Sequence, residues 1–191
     1  MKLYQEQLSS LHDISFDSSR QCFMTESKVK VYNFDEVKRV YTNSLNLSEE
    51  VCSSCDGLYW SDELNLLIEF KNGRNFTAKE IQFKILNSLL IINDINSYPI
   101  SKMRDNLEFI LVYNSENRPI SDEERIQYQK VTNDIIEMSE HRHTICKHFL
   151  KKANREYVRF GLDNFKGLYF SDVHTYDIKE FKQWLDIHSM L

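Results

Sequence analysis

Two opposite charges stand two residues apart in an otherwise apolar segment, at Glu69 and Lys71. Residues 65–71 have the length of a strand, and successive side chains of a strand point to opposite faces of its sheet. We therefore expect Leu67, Glu69 and Lys71 on one face. Because an unpaired charge in a buried strand is costly, this pair needs either a partner or a function.

A second carboxylate, Asp56, joins this pair if two strands form a hairpin. Residues 51–60 and 64–71 have strand composition, and the polar turn at 61–63 separates them. In a hairpin closed through that turn, Asp56 lies opposite Glu69 on the same face. A slip of one residue would send Asp56 to the other face, so the prediction depends on the register.

Two carboxylates and an ammonium in one place suit the metal-assisted hydrolysis of a phosphodiester. Asp56 and Glu69 would hold Mg²⁺ or Mn²⁺, since these hard cations prefer oxygen ligands. The metal would polarise a phosphoryl oxygen and lower the pKa of a bound water. Lys71 would orient that water or stabilise the developing negative charge.

Asp56, followed by twelve residues and then Glu69-Phe70-Lys71, resembles the motif of the PD-(D/E)XK, or restriction-endonuclease-like, nuclease superfamily. The resemblance covers about residues 33–113 and implies an αβββαβ core. It implies Asp56 and Glu69 as metal ligands, joined by the carbonyl of Phe70, Lys71 as the catalytic lysine, and DNA as the substrate. Cys55 stands where the motif has proline.

The resemblance also points to Glu36 as a further acidic metal ligand, and to Lys84 or Gln82 as a polar residue that reaches the site or the nucleic acid. Each has a simpler interpretation. Glu36 follows Asn33 by three residues, which is the spacing of a capping box. Lys84 is otherwise a solvated residue of a helix.

One clearly basic segment lies near the carboxyl end of an acidic chain whose formal net charge is −5. Its candidate phosphate-binding residues are Arg142, Lys147, Lys151, Lys152 and Arg155, with Tyr157 or Phe160 available to stack on a base. A solvated helix face is the equally good alternative.

The spacing of Cys52 and Cys55 is that of a zinc knuckle, which His141, His143 and Cys146 would have to complete. If 51–60 is a strand, the two cysteines point to opposite faces, and buried free thiols are the more usual outcome. A zinc-stabilised interaction domain remains an alternative hypothesis to a nuclease-like protein.

Helices and strands are predicted to alternate along the chain. Capping residues and apolar spacing predict helices over 33–46 and from 77 to about 95, from 121 toward 152, and from Asp177 onward. Strands are predicted at 28–32, 107–113, 158–162 and 167–170, besides the hairpin. Residues 1–27 have no readable period. This alternation predicts an α/β fold with a mixed central sheet flanked by helices.

At 191 residues the chain is expected to form one domain over 1–191, with a core at about 33–113 and an extension at 121–191. Four Gly and two Pro leave no glycine-rich phosphate loop. Four cysteines without an export signal predict a cytoplasmic protein with reduced thiols. The prediction is a nuclease, or else an inactive nuclease-like subunit that binds protein or nucleic acid. The sequence leaves open whether it forms a homodimer.

Overall fold

The computed structural model describes residues 7–119, 121, 158–188 and 190. The predicted helix from 121 toward 152 and the basic and His-Cys segment within it lie outside these residues, Ser121 excepted. No helix within the described ranges combines the length and the apolar composition needed to span a bilayer.

The strands are β1 Leu8–Ser10, β2 Phe16–Asp17, β3 Cys22–Phe23, β4 Lys30–Asn33, β5 Gly57–Trp60, β6 Asn65–Lys71, β7 Glu108–Tyr113 and β8 Asp172–Asp177. The helices are α1 Leu11–Ile14, α2 Phe34–Ser44, α3 Ala78–Asn96, α4 Ile100–Asn106 and α5 Ile178–Ile187. Short 3₁₀ turns lie at Glu49–Val51 and Leu162–Phe165.

A six-stranded mixed sheet organises the fold, in the order β1-β4-β5-β6-β7-β8. The pairs from β1 to β6 are antiparallel, and β6 with β7 and β7 with β8 are parallel. The separate strands β2 and β3 form a two-stranded ribbon. The predicted mixed sheet flanked by helices is confirmed, and β6 lies at its centre.

Side chains of β6 alternate between two apolar clusters, one on each face of the sheet. Leu67 packs with residues of α2 and α3, whereas Leu66, Ile68 and Phe70 pack with residues of α1 and α5. This is the alternation that the sequence predicts.

Capping residues fix the starts of the main helices. Thr77 and Glu80 form a reciprocal capping box at α3, and Asn33 accepts hydrogen bonds from the backbone N–H groups of Asp35 and Glu36 at α2. Asp177 and Glu180 form a second capping box at α5. The predicted helices that lie within the described residues are confirmed to within about two residues.

The two strands predicted at 158–162 and 167–170 are wrong. Phe160, Gly161 and Gly167 have φ of 64°, 64° and 72°, which is turn geometry and interrupts an extended chain. Residues Leu162–Phe165 form a 3₁₀ turn instead, and the strand that pairs with β7 is β8, a few residues later.

The order of elements also differs from the expected αβββαβ. Two strands, β5 and β6, lie between α2 and α3, and the third antiparallel strand, β4, precedes α2. The hairpin strand is shorter than predicted because Glu49–Val51 is a 3₁₀ turn and β5 begins only at Gly57.

Candidate active site

Glu69 and Lys71 project from the carboxyl end of β6. The Nζ of Lys71 lies 2.8 Å from Oε1 of Glu69. The residue Glu69 is 0% exposed, whereas Lys71 is partly exposed. The two charges of the predicted pair therefore meet, with the carboxylate on the inside and the ammonium toward solvent.

Asp56 is brought to this pair by the hairpin register. The first pair of β5 with β6 is Gly57 with Ile68, and the backbone N–H of Asp56 donates to the carbonyl of Ile68 at 3.0 Å. This is the register that the sequence predicts, and Asp56 lies one residue before this first pair of the ladder. Gly57 is the first residue of β5, and a Cβ at this position would collide with the side chain of Ile14.

Three further hydrogen bonds hold the segment around Asp56 in place. Its carbonyl accepts from the N–H of Phe34 at 3.0 Å, and its Oδ2 accepts from the N–H of Phe70 at 2.6 Å. The N–H of the preceding Cys55 donates to Oγ of Ser88 on α3 at 2.9 Å. The carboxylate of Asp56 is therefore fixed relative to both β6 and α3.

Lys84 of α3 lies between the two carboxylates. Its Nζ is 2.7 Å from Oε1 of Glu69 and 3.2 Å from Oδ1 of Asp56. The interpretation of Lys84 as a solvated helix residue is wrong. Its position was a signal: it lies three residues after Ile81 and four before Ser88, both buried, so it belongs to the inward stripe of the helix.

Burial dominates the electrostatics of Glu69. Desolvation, and after it the charge of Asp56, raise the pKa of Glu69 to about 7, although Lys84 and Lys71 act in the opposite direction. Burial of Lys84 opposes its charge, but Asp56 and Glu69 outweigh this and raise the pKa of the ammonium above its ordinary value. The site therefore keeps its ammonium charged and holds a carboxylate that titrates near neutrality.

Asp56 and Glu69 suit a hard cation that takes only a few of its ligands from the protein. Among the described residues, neither oxygen of Glu69 has a hydrogen-bond partner of good geometry, although two ammonium groups lie within ion-pair distance of Oε1. Its Oε2 is therefore a buried acceptor with lone pairs to spare. Within those same residues no cluster of three or more His, Cys, Asp or Glu has the arrangement of a metal site. The protein would thus supply two carboxylates, and waters would complete the shell, as Mg²⁺ commonly permits.

An open cleft of about 280 Å³ adjoins the site. Asp56, Lys71 and Asn72 line one side of it, and Phe16 and Asp17 of the β2–β3 ribbon line the other. The sequence does not predict this ribbon, because strands of two residues leave no readable period.

Glu36, the further metal ligand that the resemblance implies, does not join the cluster. Glu36 pairs with Arg39 at 2.7 Å on the surface of α2, and has no contact there with Asp56 or Glu69. Its carboxylate also does not close a capping box with Asn33. Glu36 is therefore not brought to the candidate metal site.

The five predicted phosphate-binding residues Arg142, Lys147, Lys151, Lys152 and Arg155 lie outside the described residues, as do His141, His143 and Cys146. The described cysteines Cys22, Cys52 and Cys55 are free, and Cys55 is fully buried in the apolar core. Burial, before all other causes, raises the pKa of its thiol well above the ordinary value. Cys55 thus has the environment of an inert core thiol.

Comparisons of the chain with models of protein families, with curated proteins and with solved structures found no match.

Proposed function

We propose that this chain is a metal-dependent nuclease that hydrolyses phosphodiester bonds of DNA, with Mg²⁺ or Mn²⁺ as its cofactor. The observation that carries the proposal is the convergence of Asp56, Glu69 and Lys71 at the end of β6, with Lys84 between the carboxylates. Burying such a group of charges in the centre of a sheet costs free energy, and such groups are common at functional sites.

A restriction-endonuclease-like core is part of the same proposal. Three antiparallel strands, β4, β5 and β6, are followed by a helical connection to the parallel strand β7, and this supports it. The position of β4 before α2 departs from the expected order. The support for this core therefore comes from the β5–β6 hairpin and from the helical connection between β6 and β7.

Asp56 and Glu69 are the residues that would hold the metal. When bound, the metal supplies Lewis acidity at a phosphoryl oxygen and lowers the pKa of its water. Lys71 lines the cleft and contacts Glu69, so it can orient the attacking water or balance the charge that develops on the phosphate. Lys84 is a positioning residue, because its ammonium reaches both carboxylates.

A cleavage assay tests this proposal. Single-stranded DNA, double-stranded DNA and RNA are incubated with Mg²⁺ or Mn²⁺ and the wild-type chain, or with Asp56→Asn, Glu69→Gln or Lys71→Met. We expect each substitution to lower the rate by about 100-fold or more, the usual effect of losing a group that acts on protons or metal. Glu63→Gln and Lys182→Met, at exposed positions, are matched controls that should keep full activity. Activity that survives both Asp56→Asn and Lys71→Met would overturn the proposed site.

One observation favours a second candidate, an inactive nuclease-like subunit that binds protein or nucleic acid. The ammonium of Lys84 stands where it can neutralise both carboxylates without a metal. Calorimetry with Mn²⁺ separates the two candidates. If the chain is a nuclease, it should release or absorb heat on binding Mn²⁺, and Asp56→Asn should abolish this binding. If it is an inactive subunit, the titration should show no binding heat that depends on Asp56.

A further inference from the structure

We propose that the cleft beside Asp56 accepts one unpaired nucleotide, whose base stacks on Phe16, so that the preferred substrate is single-stranded nucleic acid. This inference rests on the proposed nuclease function, because it assigns a substrate to the same site. Its first support is the shape of the cleft, which the β2–β3 ribbon closes on one side.

The volume of the cleft favours a single nucleotide. At about 280 Å³ it lies just below the range of pockets that take up small molecules, roughly 300–1,000 Å³. A base pair with both of its backbones exceeds such a volume. Asp56 and Lys71 line this same cleft, so a nucleotide inside it lies against the groups that are proposed to act on its phosphate.

Hydrogen bonds hold the β2–β3 ribbon in place beside the cleft. The buried Asn72 donates from Nδ2 to Oδ2 of Asp17 at 2.9 Å and to Sγ of Cys22 at 3.2 Å, so it holds both strands of the ribbon. At the ribbon turn, Arg20 donates to Oδ1 of Asn117 at 2.8 Å, and Asn117 donates to the carbonyl of Asn72 at 2.9 Å. A duplex would have to break these bonds to widen the cleft.

Phe16, which lines the cleft, belongs to a small aromatic cluster on the ribbon. Phe16 and Phe23 are opposite each other in the register, with ring centroids 4.8 Å apart. The ring of His12 stacks on the ring of Phe23, with centroids 3.8 Å apart, so Phe23 contacts both His12 and Phe16. Phe16 is 42% exposed and Phe23 is 44% exposed, so both residues keep apolar surface open to solvent. A nucleobase stacking on Phe16 would cover this surface, as aromatic residues do in single-strand binding proteins.

The charges of the cleft are compatible with a phosphate. Asp17 is the one acid that the ribbon contributes to the lining, and hydrogen bonds occupy both of its oxygens. Its Oδ1 accepts from N and Oγ of Ser19 at 2.9 and 2.6 Å, and its Oδ2 accepts from Asn72. Arg20, 4.0 Å from Oδ2 of Asp17, offsets its charge, and Lys71 provides an ammonium on the opposite side.

Fluorescence anisotropy with a fluorescein-labelled oligonucleotide of mixed sequence, alone or annealed to its complement, tests this inference. The buffer contains Ca²⁺, which takes the same oxygen ligands as Mg²⁺. We expect the single strand to bind more tightly than the duplex. Phe16→Leu keeps an apolar side chain and removes the ring, so it should weaken single-strand binding by about tenfold and leave duplex binding unchanged. Phe83→Leu on α3, at a phenylalanine that is 54% exposed and outside the cleft, is the matched control that should change neither affinity.

Duplex binding as tight as single-strand binding, or a single-strand affinity that Phe16→Leu leaves unchanged, would overturn the inference. The two proposals also fail separately. Cleavage of duplex DNA that depends on Asp56 but not on Phe16 would retain the nuclease and exclude the stacking site. Phe16-dependent binding of a single strand that is never cleaved would retain the stacking site and exclude the nuclease.

Discussion

Asp56 and Glu69 share one counter-ion, the ammonium of Lys84, which lies 3.2 Å from an oxygen of the first and 2.7 Å from an oxygen of the second. Two carboxylates that both reach one Nζ are necessarily close to each other. An ammonium of the protein thus pairs with both of the carboxylates that are proposed to hold the metal. The stability, pH dependence and metal affinity of the chain should all depend on this arrangement.

Removing the shared counter-ion should destabilise the fold. Lys84→Met keeps the apolar stem but leaves Asp56 and the buried Glu69 without their shared ammonium, which typically costs about 3–5 kcal/mol of unfolding free energy. Urea denaturation measures the loss. Millimolar Mg²⁺ should restore more stability to the variant than to the wild type, because the metal replaces the lost charge.

Lys182→Met, at an exposed position of α5, is the control for this measurement and should stay within about 0.5 kcal/mol of the wild type. Equal stability of Lys84→Met and the wild type would show that the ion pairs of Lys84 with Asp56 and Glu69 contribute nothing to the unfolding free energy.

The buried carboxyl of Glu69 should make stability fall as pH rises toward neutrality. Its pKa is raised from 4.5 to about 7 in the folded chain, so the folded state holds this proton more tightly than the unfolded state between those values. The unfolding free energy should therefore decrease across that window, by at most about 3 kcal/mol. Glu69→Gln imitates the protonated form and should flatten this part of the curve. Parallel curves for the two proteins from pH 5 to pH 7.5, measured by urea denaturation, would contradict the assignment.

Metal affinity should rise with pH over the same range. A cation and a proton compete for Glu69, whose pKa is about 7, so raising the pH above this value frees the ligand. Calorimetric titration with Mn²⁺ at pH 6 and pH 8 measures the difference. Tighter binding at the lower pH would be incompatible with Glu69 as a ligand.

Asn72 should hold the ribbon against the sheet. Its side chain donates to Asp17 and Cys22 and accepts from Asn114 at 2.8 Å, all in a position that is 5% exposed. Asn72→Ala removes these three hydrogen bonds and should cost about 1–3 kcal/mol. Amide hydrogens of residues 16–23 should then exchange faster with solvent.

The matched control for Asn72 is Asn87→Ala, which removes a single long hydrogen bond to Ser53 at 3.4 Å. This substitution should leave exchange in the ribbon unchanged. Unaltered exchange of residues 16–23 in Asn72→Ala would mean that other contacts hold the ribbon.

Local signals predicted much of the scaffold. The capping box at Thr77 and the apolar spacing from Ile81 onward predicted α3, and the apolar run at 107–113 predicted β7. These features depend on residues a few positions apart, so no tertiary information was needed. The strands predicted at 158–162 and 167–170 failed because left-handed turn residues, one of them Phe160, interrupt that stretch. Composition alone does not reveal a positive φ at a phenylalanine.

The amino-acid sequence by itself determined that Glu69 and Lys71 lie on one face of β6, because strand geometry imposes the alternation. It also indicated the hairpin that brings Asp56 to them. Only the tertiary structure decided that Glu69 is completely buried, that Lys84 stands between the carboxylates, and that the ribbon faces them across a cleft. The physical reason is distance along the chain. The rotation of α3 about its axis and the docking of the ribbon through Asn72 depend on packing between residues far apart in sequence, which no local period records.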